Sequence, residues 1–471
     1  MLSLEQTSVS AVPLLDGKMP GEVFAPFSEE TGAMLLLSGG AIDADYSYIC
    51  LDPCALITCT DGKTVLDIHT RRISEGDPLD LIDSYVQQTH TCSVSGMFTA
   101  GAVGYISYGY RTHIETVPEE NPAPGPLPDV FFAFPSTVLV YSHSDNIWTH
   151  VSHTYSYRGG ILKPGREFST LFSTITSYSQ PPFPNIDPDS LASDFTEEEY
   201  IQAVEKAREY IIKGEMYQAN ISQRFSISIS GSPYPLFAEI FRKNPAPFFS
   251  FMNCGDHYIL SSSPELLVRT RPEYAESKPI KGTAPRFTDR TKDSRSRTFL
   301  QTSTKDEAEL SMIVDLIRND LGKVCTGGSV RVKNHREIQA FSNVYHTLST
   351  VYGTPGQNTS PGGIIRALFP GGSITGCPKI RAMEIIDEIE KSARHIYTGS
   401  IGYIGLDGCI ELNIAIRTAL IYEHTLYFSA GGGIVYDSDP KKEFDETTDK
   451  AATWLEVFSR KEPYGSALYE R

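Results

Sequence analysis

Lys281 stands in the stretch "PIKGT", between Pro279 and Gly282, where the chain is stiff on one side and tightly turned on the other. A lysine held this way is either a solvated loop residue or, once desolvated, an amine that can act as a nucleophile. Two acidic patterns bear on that choice. In "TKDEAELSMIVDLIRNDLG" the spacing of Leu310, Val314, Ile317 and Leu321 predicts a buried helical stripe, with Glu309 beside it and Asp306 one turn earlier. In "DSDPKKEFDETTDKAATWLEVF" Asp439 is a cap and Pro440 the first helical residue. Phe444, Thr448, Ala451, Leu455 and Phe458 are then expected to face the core, which puts Glu443 and Glu446 together on another side. Carboxylates brought by two helices suit a hard cation such as Mg2+; otherwise they are two solvated acidic faces.

Further polar groups fall in patterned stretches. "FPGGSITGCPKIRAMEIIDEIE" is a glycine loop running into a helix, and its backbone N–H groups, with Ser373 and Thr375, suit a carboxylate or phosphate. It has neither the P-loop nor the dinucleotide-binding spacing. "LYFSAGGGIVYDSDP" places Gly431, Gly432 and Gly433 after a strand, where backbone can approach a ligand closely. "CIELNIAIRTALIY" alternates as one strand, with Ile410, Leu412, Ile414 and Ile416 on one face and Glu411, Asn413 and Arg417 on the other. Arg417 on that polar face suits bidentate carboxylate binding or a cross-strand ion pair. His346 in "NVYHTLSTVYG" lies mid-strand, as a structural imidazole or an acid–base group.

The elements that must position these residues change character along the chain. Residues 1 to about 180 mix short β-like runs with loops, and the polar, Pro-rich stretch from Ser179 to Asp194 is the best linker candidate. Thr196 and Glu199 then form a capping box, followed by Tyr200, Val204, Ala207 and Ile211 at helical spacing, with Gly214 as terminator. Long helices and strands alternate to the end. The expectation is an α+β protein, a two-layer β-sandwich of antiparallel sheets with helices outside, in two regions spanning 1–180 and 194–471.

Bulk properties narrow the classes. The 471 residues are 40% hydrophobic and carry a net charge of −17, which opposes non-specific binding to nucleic acid or anionic membrane. No apolar run reaches membrane-spanning length and no secretory signal opens the chain, so a cytoplasmic protein is expected. Eight cysteines in a chain this long are no disulfide framework, and Cys50, Cys54 and Cys59 match no zinc spacing. They read as buried thiols.

Taken together, "SSSPELLV", "PIKGTAPR", "DEAELSMIVDLIRNDLG", "FSNVYHTLSTVYG", "GGSITGCPKIRAMEIID", "YTGSIGYIG", "ELNIAIRT" and "GGGIVYDSDPKKEFDET" resemble the chorismate-utilising enzymes from about residue 194 to the end. The N-terminal region is similar to that family's more loosely, through "AMLLLSGG" and "DADYSYICLDP". The resemblance implies one α/β body with the site between two sheets, and an anthranilate synthase component I-like fold. It implies Glu265 as general acid or base at a departing hydroxyl, with His346 assisting. Glu309 and Glu446 would hold Mg2+, with Glu443 sharing ligation or behind it. Gly431, Gly432 and Gly433 would meet the ring carboxylate, and Tyr397 and Arg417 the enolpyruvyl carboxylate, while Ser373, Gly282 and Thr283 complete the pocket. Asp306 stands where anthranilate synthases often have glutamate.

Anthranilate synthases typically read PIAGT where this chain reads PIKGT. Lysine there marks the aminodeoxychorismate synthase branch, which serves p-aminobenzoate and folate synthesis and in which the amine is held to form a covalent intermediate. The water-adding branches use a lysine base that Gln218 replaces here, and glutamine cannot serve as that base. The resemblance further implies a separate glutamine amidotransferase subunit as ammonia source, since no such segment is evident. It also implies a tryptophan site with contacts from Ser38, Pro247 and Phe248. The alternatives are anthranilate formation and a non-catalytic tryptophan-sensing subunit; a silent homologue would have no need of the acidic, Tyr and Arg set.

Overall fold

The fold was analysed in a computed structural model, which describes residues 2–39, 45–68, 71–86, 96–271, 273–341 and 344–458. Every strand pairing in it is antiparallel, and the strands form two layers. The first layer runs from Asn185–Ser193 through Gln218–Ser230, Thr425–Ile434, Thr418–Tyr422, His257–Ser263 and Phe248–Asn253 to Met34–Leu37. The second runs from Val344–Gly353 through Tyr274–Lys278, Leu266–Arg271, Ile410–Asn413 and Ser400–Gly405 to Gly101–Ile106.

Two long strands belong to both layers. Tyr46–Thr60 pairs with Met34–Leu37 in its first half, and Val130–Ser142 pairs with Gly101–Ile106 in its own first half. They pair with each other throughout, with a register shift between Pro53 and Ala55. Such bulges let a strand bend from one sheet into the next. Pairing therefore crosses the 1–180 and 194–471 regions twice, at Met34–Leu37 with Phe248–Asn253 and at Gly101–Ile106 with Ser400–Gly405. The expected α+β class, antiparallel layers with helices outside, is the observed one.

Local rules explain several boundaries. Thr196 Oγ1 accepts from the Glu199 N–H at 3.2 Å and Glu199 returns the bond to the Thr196 N–H at 2.8 Å, which starts the helix Glu197–Ile212. The helix Thr304–Gly322 buries Leu310, Val314, Ile317 and Leu321 as its spacing predicts.

Three expectations change. The linker candidate contains the strand Asn185–Ser193, an exposed edge that tolerates Pro188 at a register break between Asp187 and Ala192. The "CIELNIAIRTALIY" strand is split into Ile410–Asn413 and Thr418–Tyr422, because the Ile414 N–H turns aside to the Glu265 carbonyl and Arg417 takes a left-handed φ of 51°. The helix Pro440–Phe458 buries Ala451 and Phe458 as expected, but Glu443, Thr447 and Trp454 are buried as well while Thr448 is exposed. Ser438 Oγ donates to Glu443 Oε1 at 2.7 Å, so this inward carboxyl is not left bare.

Beneath the first layer's edge, Arg394 binds Glu390 at 2.7 Å with side chains 2% and 4% exposed. The same guanidinium donates to the carbonyls of Asn220 and Ile374, and Glu390 accepts from the N–H and hydroxyl of Ser222. Removing one partner of a buried pair costs about 3–5 kcal/mol. Arg394→Met is therefore expected to lower the thermal unfolding midpoint by several degrees; a wild-type midpoint would show that the pair does not carry that load.

Candidate active site

The strand Ile280–Pro285, the glycine-rich end of Thr425–Ile434 and two acidic helices come together at one place. Lys281 lies on Ile280–Pro285, paired with Thr347, and a register break follows between Lys281 and Thr283. Gly282 occupies the break at φ 81°, a conformation that suits glycine, and a side chain there would press on Asp306 and Leu300. The bulge thus re-aims Lys281, whose Nζ reaches 3.8 Å from Glu309 Oε2. A Cβ on Gly433 would lie 3.5 Å from that Nζ, and one on Gly432 would lie 2.9 Å from Glu443 Oε2 and 3.9 Å from Glu446 Oε1. Gly432 and Gly433 are what lets the acidic helix and the lysine converge on this strand.

Glu265 sits next to them, with the Ile280 N–H at 3.5 Å from its Oε1. Burial pushes its carboxyl up to about 7, outweighing the opposing pull of Ser373 and Lys281. Ser373 Oγ is near enough to act on it yet makes no hydrogen bond of normal geometry. His346 accepts or donates at Nδ1 with Thr283 Oγ1, 2.9 Å away. Burial and then the Arg417 charge lower its pKa to about 3, so the ring is neutral near pH 7 and serves as a hydrogen-bonding group rather than a cation. Arg417 has no ion-pair partner among the described residues, and burial lowers its own pKa, leaving a cation that awaits a carboxylate. Tyr397 is buried, with burial raising its phenol to about 12.

The sequence reading did not single out Lys305 or Lys450, and it took Gln218 only as a replaced base. Lys305 touches Glu309 and Glu443; Lys450 binds Glu446 at 2.6 Å and the Gly431 carbonyl at 2.8 Å. The i, i+4 spacing of each to a glutamate was the available signal. Gln218 is fully buried, and both of its side-chain polar atoms lack partners among the described residues, as do Ser373 Oγ and Thr347 Oγ1. Buried polar atoms left open around one cleft mark where a polar ligand belongs. The oxygen-only set of Glu309, Glu443 and Glu446, already facing ammonium groups, fits a hard cation such as Mg2+ in kind.

Ser38, Pro247 and Phe248 meet at a second place, one cavity that also takes in Tyr46, Ser250 and Asn413. Pro247 and Phe248 line a neighbouring apolar cavity too, with Pro264, Leu266 and Ile280, chain neighbours of Glu265 and Lys281. Cys50, Cys54 and Cys59 are buried free thiols. No helix among the described residues is long and apolar enough to cross a membrane.

Fold and site together define an α+β enzyme whose cleft between two antiparallel layers is lined by carboxylates, amines and an uncompensated arginine. Residues 34–456 match the family of chorismate binding enzymes, and the chain belongs to that family. It is 36% identical over 414 residues to aminodeoxychorismate synthase component 1 of Bacillus subtilis, covering 86% of this chain and 87% of that one. It is 33% identical over 441 residues to anthranilate synthase component 1 of Saccharolobus solfataricus, covering 93% and 96%. The crystal structure of anthranilate synthase component I from Streptococcus pneumoniae superposes with a TM-score of 0.74 at 28% identity, covering 88% of this chain and 93% of that one. Family membership makes this a chorismate-utilising enzyme and leaves both amination branches open.

The Glu265 carboxyl yields a stability prediction. The native state keeps its proton up to about pH 7, while the unfolded chain releases it near 4.5. Between those values the native state binds more protons, so wild-type stability falls as pH rises through that window. Glu265→Gln, which cannot ionise, is expected to match wild type below about pH 4.5 and to exceed it by up to about 3 kcal/mol at pH 8. Denaturant titrations at pH 5 and pH 8 check this; a gain that does not grow with pH contradicts it.

Proposed function

We propose that the chain aminates chorismate at the ring carbon carrying the allylic hydroxyl, giving 4-amino-4-deoxychorismate for p-aminobenzoate and folate synthesis. The observation that carries this reading is Lys281 Nζ, set by a bulge against Glu309 and Gly433 and close to the buried Glu265. Glu265, protonated near neutrality, gives its proton to the departing hydroxyl, which leaves as water. The Lys281 amine forms the carbon–nitrogen bond, and ammonia then takes its place on the ring and releases the lysine. Arg417 and Tyr397 hold the enolpyruvyl carboxylate, and Gly431, Gly432 and Gly433 leave room for the ring carboxylate. Mg2+ held by Glu309, Glu446 and Glu443 would neutralise that carboxylate. Gln218 offers hydrogen bonds but no base, which disfavours water addition.

Ammonia comes, on this reading, from a separate glutamine amidotransferase subunit. Tryptophan is the proposed occupant of the cavity at Ser38, Pro247 and Phe248, whose aromatic and polar lining suits an amphipathic amino acid.

Incubation of the purified chain with chorismate, Mg2+ and an ammonium salt should yield aminodeoxychorismate by mass; anthranilate as the main product would move the chain to the other branch. Lys281→Ala should lose roughly 100-fold or more in this amine transfer. Without ammonia, wild type should carry one dehydrated chorismate on the Lys281 peptide. Glu309→Gln and Glu446→Gln should be nearly inactive but fold normally.

A further inference from the structure

Lys305 precedes Glu309 by one helical turn, and its Nζ stands 3.8 Å from Glu309 Oε1 and 3.7 Å from Glu443 Oε1. These carboxylates belong to different helices, Thr304–Gly322 and Pro440–Phe458, so one ammonium spans the gap between them. It enters from solvent: the Lys305 side chain is 57% exposed, against 12% for Glu309 and 4% for Glu443. Asp306 and Glu446 add to the negative field around it, while Lys281 stands at the other oxygen of Glu309 and Lys450 binds Glu446. As the side chains stand, no three His, Cys, Asp or Glu side chains among the described residues are grouped to share one ion.

Carboxylates facing one another in a half-buried gap repel unless a cation lies between them. An ammonium on a flexible four-carbon stem supplies that cation and can swing back to water. A divalent ion held by Glu309 and Glu443 would take up the gap that the Lys305 ammonium now spans.

We propose that Lys305 is an internal cation that holds Glu309 and Glu443 in register until a divalent ion takes its place, ammonium and metal excluding each other. This deepens the metal reading above and rests on it. The exchange keeps the acidic pair neutralised at every stage and adds one positive charge to the cleft instead of two. It also sets the affinity of the site, because each ion that binds must expel the lysine. A neutral residue at 305 therefore binds metal more tightly, and arginine, with its wider fork, holds the pair more firmly and binds metal more weakly.

The test is direct binding of Mn2+ to the full chain without substrate, read by the loss of the free-ion paramagnetic resonance signal. Wild type, Lys305→Gln, Lys305→Arg and Glu309→Gln are compared. Lys305→Gln is expected to bind roughly tenfold more tightly than wild type, and Lys305→Arg more weakly. Lys305→Gln should also melt below wild type without metal and recover at saturating Mn2+. If Glu309→Gln abolishes binding while Lys305→Gln binds like wild type or worse, the exchange is wrong and the metal site stands. If wild type binds no Mn2+, both fall together.

Discussion

Everything at the site depends on how closely the helix Pro440–Phe458 approaches the strand Thr425–Ile434. Gly432 has no side chain to hold Glu443 and Glu446 away, and Gly433 leaves the same freedom to Gln218 and Lys281. A Cβ at position 432 would stand 2.9 Å from Glu443 Oε2, so that buried carboxylate would have to turn aside from where it meets Lys305 and Ser438. Close packing of backbone thus governs the electrostatics.

The electrostatics are in turn unfinished without a ligand. Arg417 is a cation with no carboxylate among the described residues, while Gln218, Ser373 and Thr347 keep unbonded polar atoms in the interior. Glu265 is held in its protonated form by burial. Each of these opposes stability in the free protein, and each is answered by a small molecule that brings carboxylates and a hydroxyl. Sites commonly break folding rules in this way, with the surrounding scaffold supplying the stability they give up. Here that scaffold includes the Arg394–Glu390 pair, which ties Asn220, Ser222 and Ile374 together behind the cleft.

The two layers are one body because Tyr46–Thr60 and Val130–Ser142 bend from one into the other. The cavity at Ser38 and the one beside Ile280 are neighbours, and Pro247 and Phe248 line both.

The likeness of several stretches to chorismate-utilising enzymes pointed to the family, while residue type and short-range spacing were enough to read the class of fold, the cap at Thr196 and the buried stripe from Leu310 to Leu321. These are decided within a few residues along the chain, by helical period, strand alternation and turn chemistry. The sequence did not disclose that Glu443 points inward, since helical bookkeeping treats glutamate as solvated and its partners Ser438 and Lys305 meet it through side-chain geometry. Nor did alternation foresee the break before Arg417, where the Ile414 N–H bonds to the Glu265 carbonyl in the connection before Leu266–Arg271. The strand within Asn185–Ser193 was hidden by its proline and polar residues until Gln218–Ser230 supplied a partner. In each case the deciding contact joins residues far apart in the chain, and only their meeting in three dimensions sets which charge is buried and which is paired.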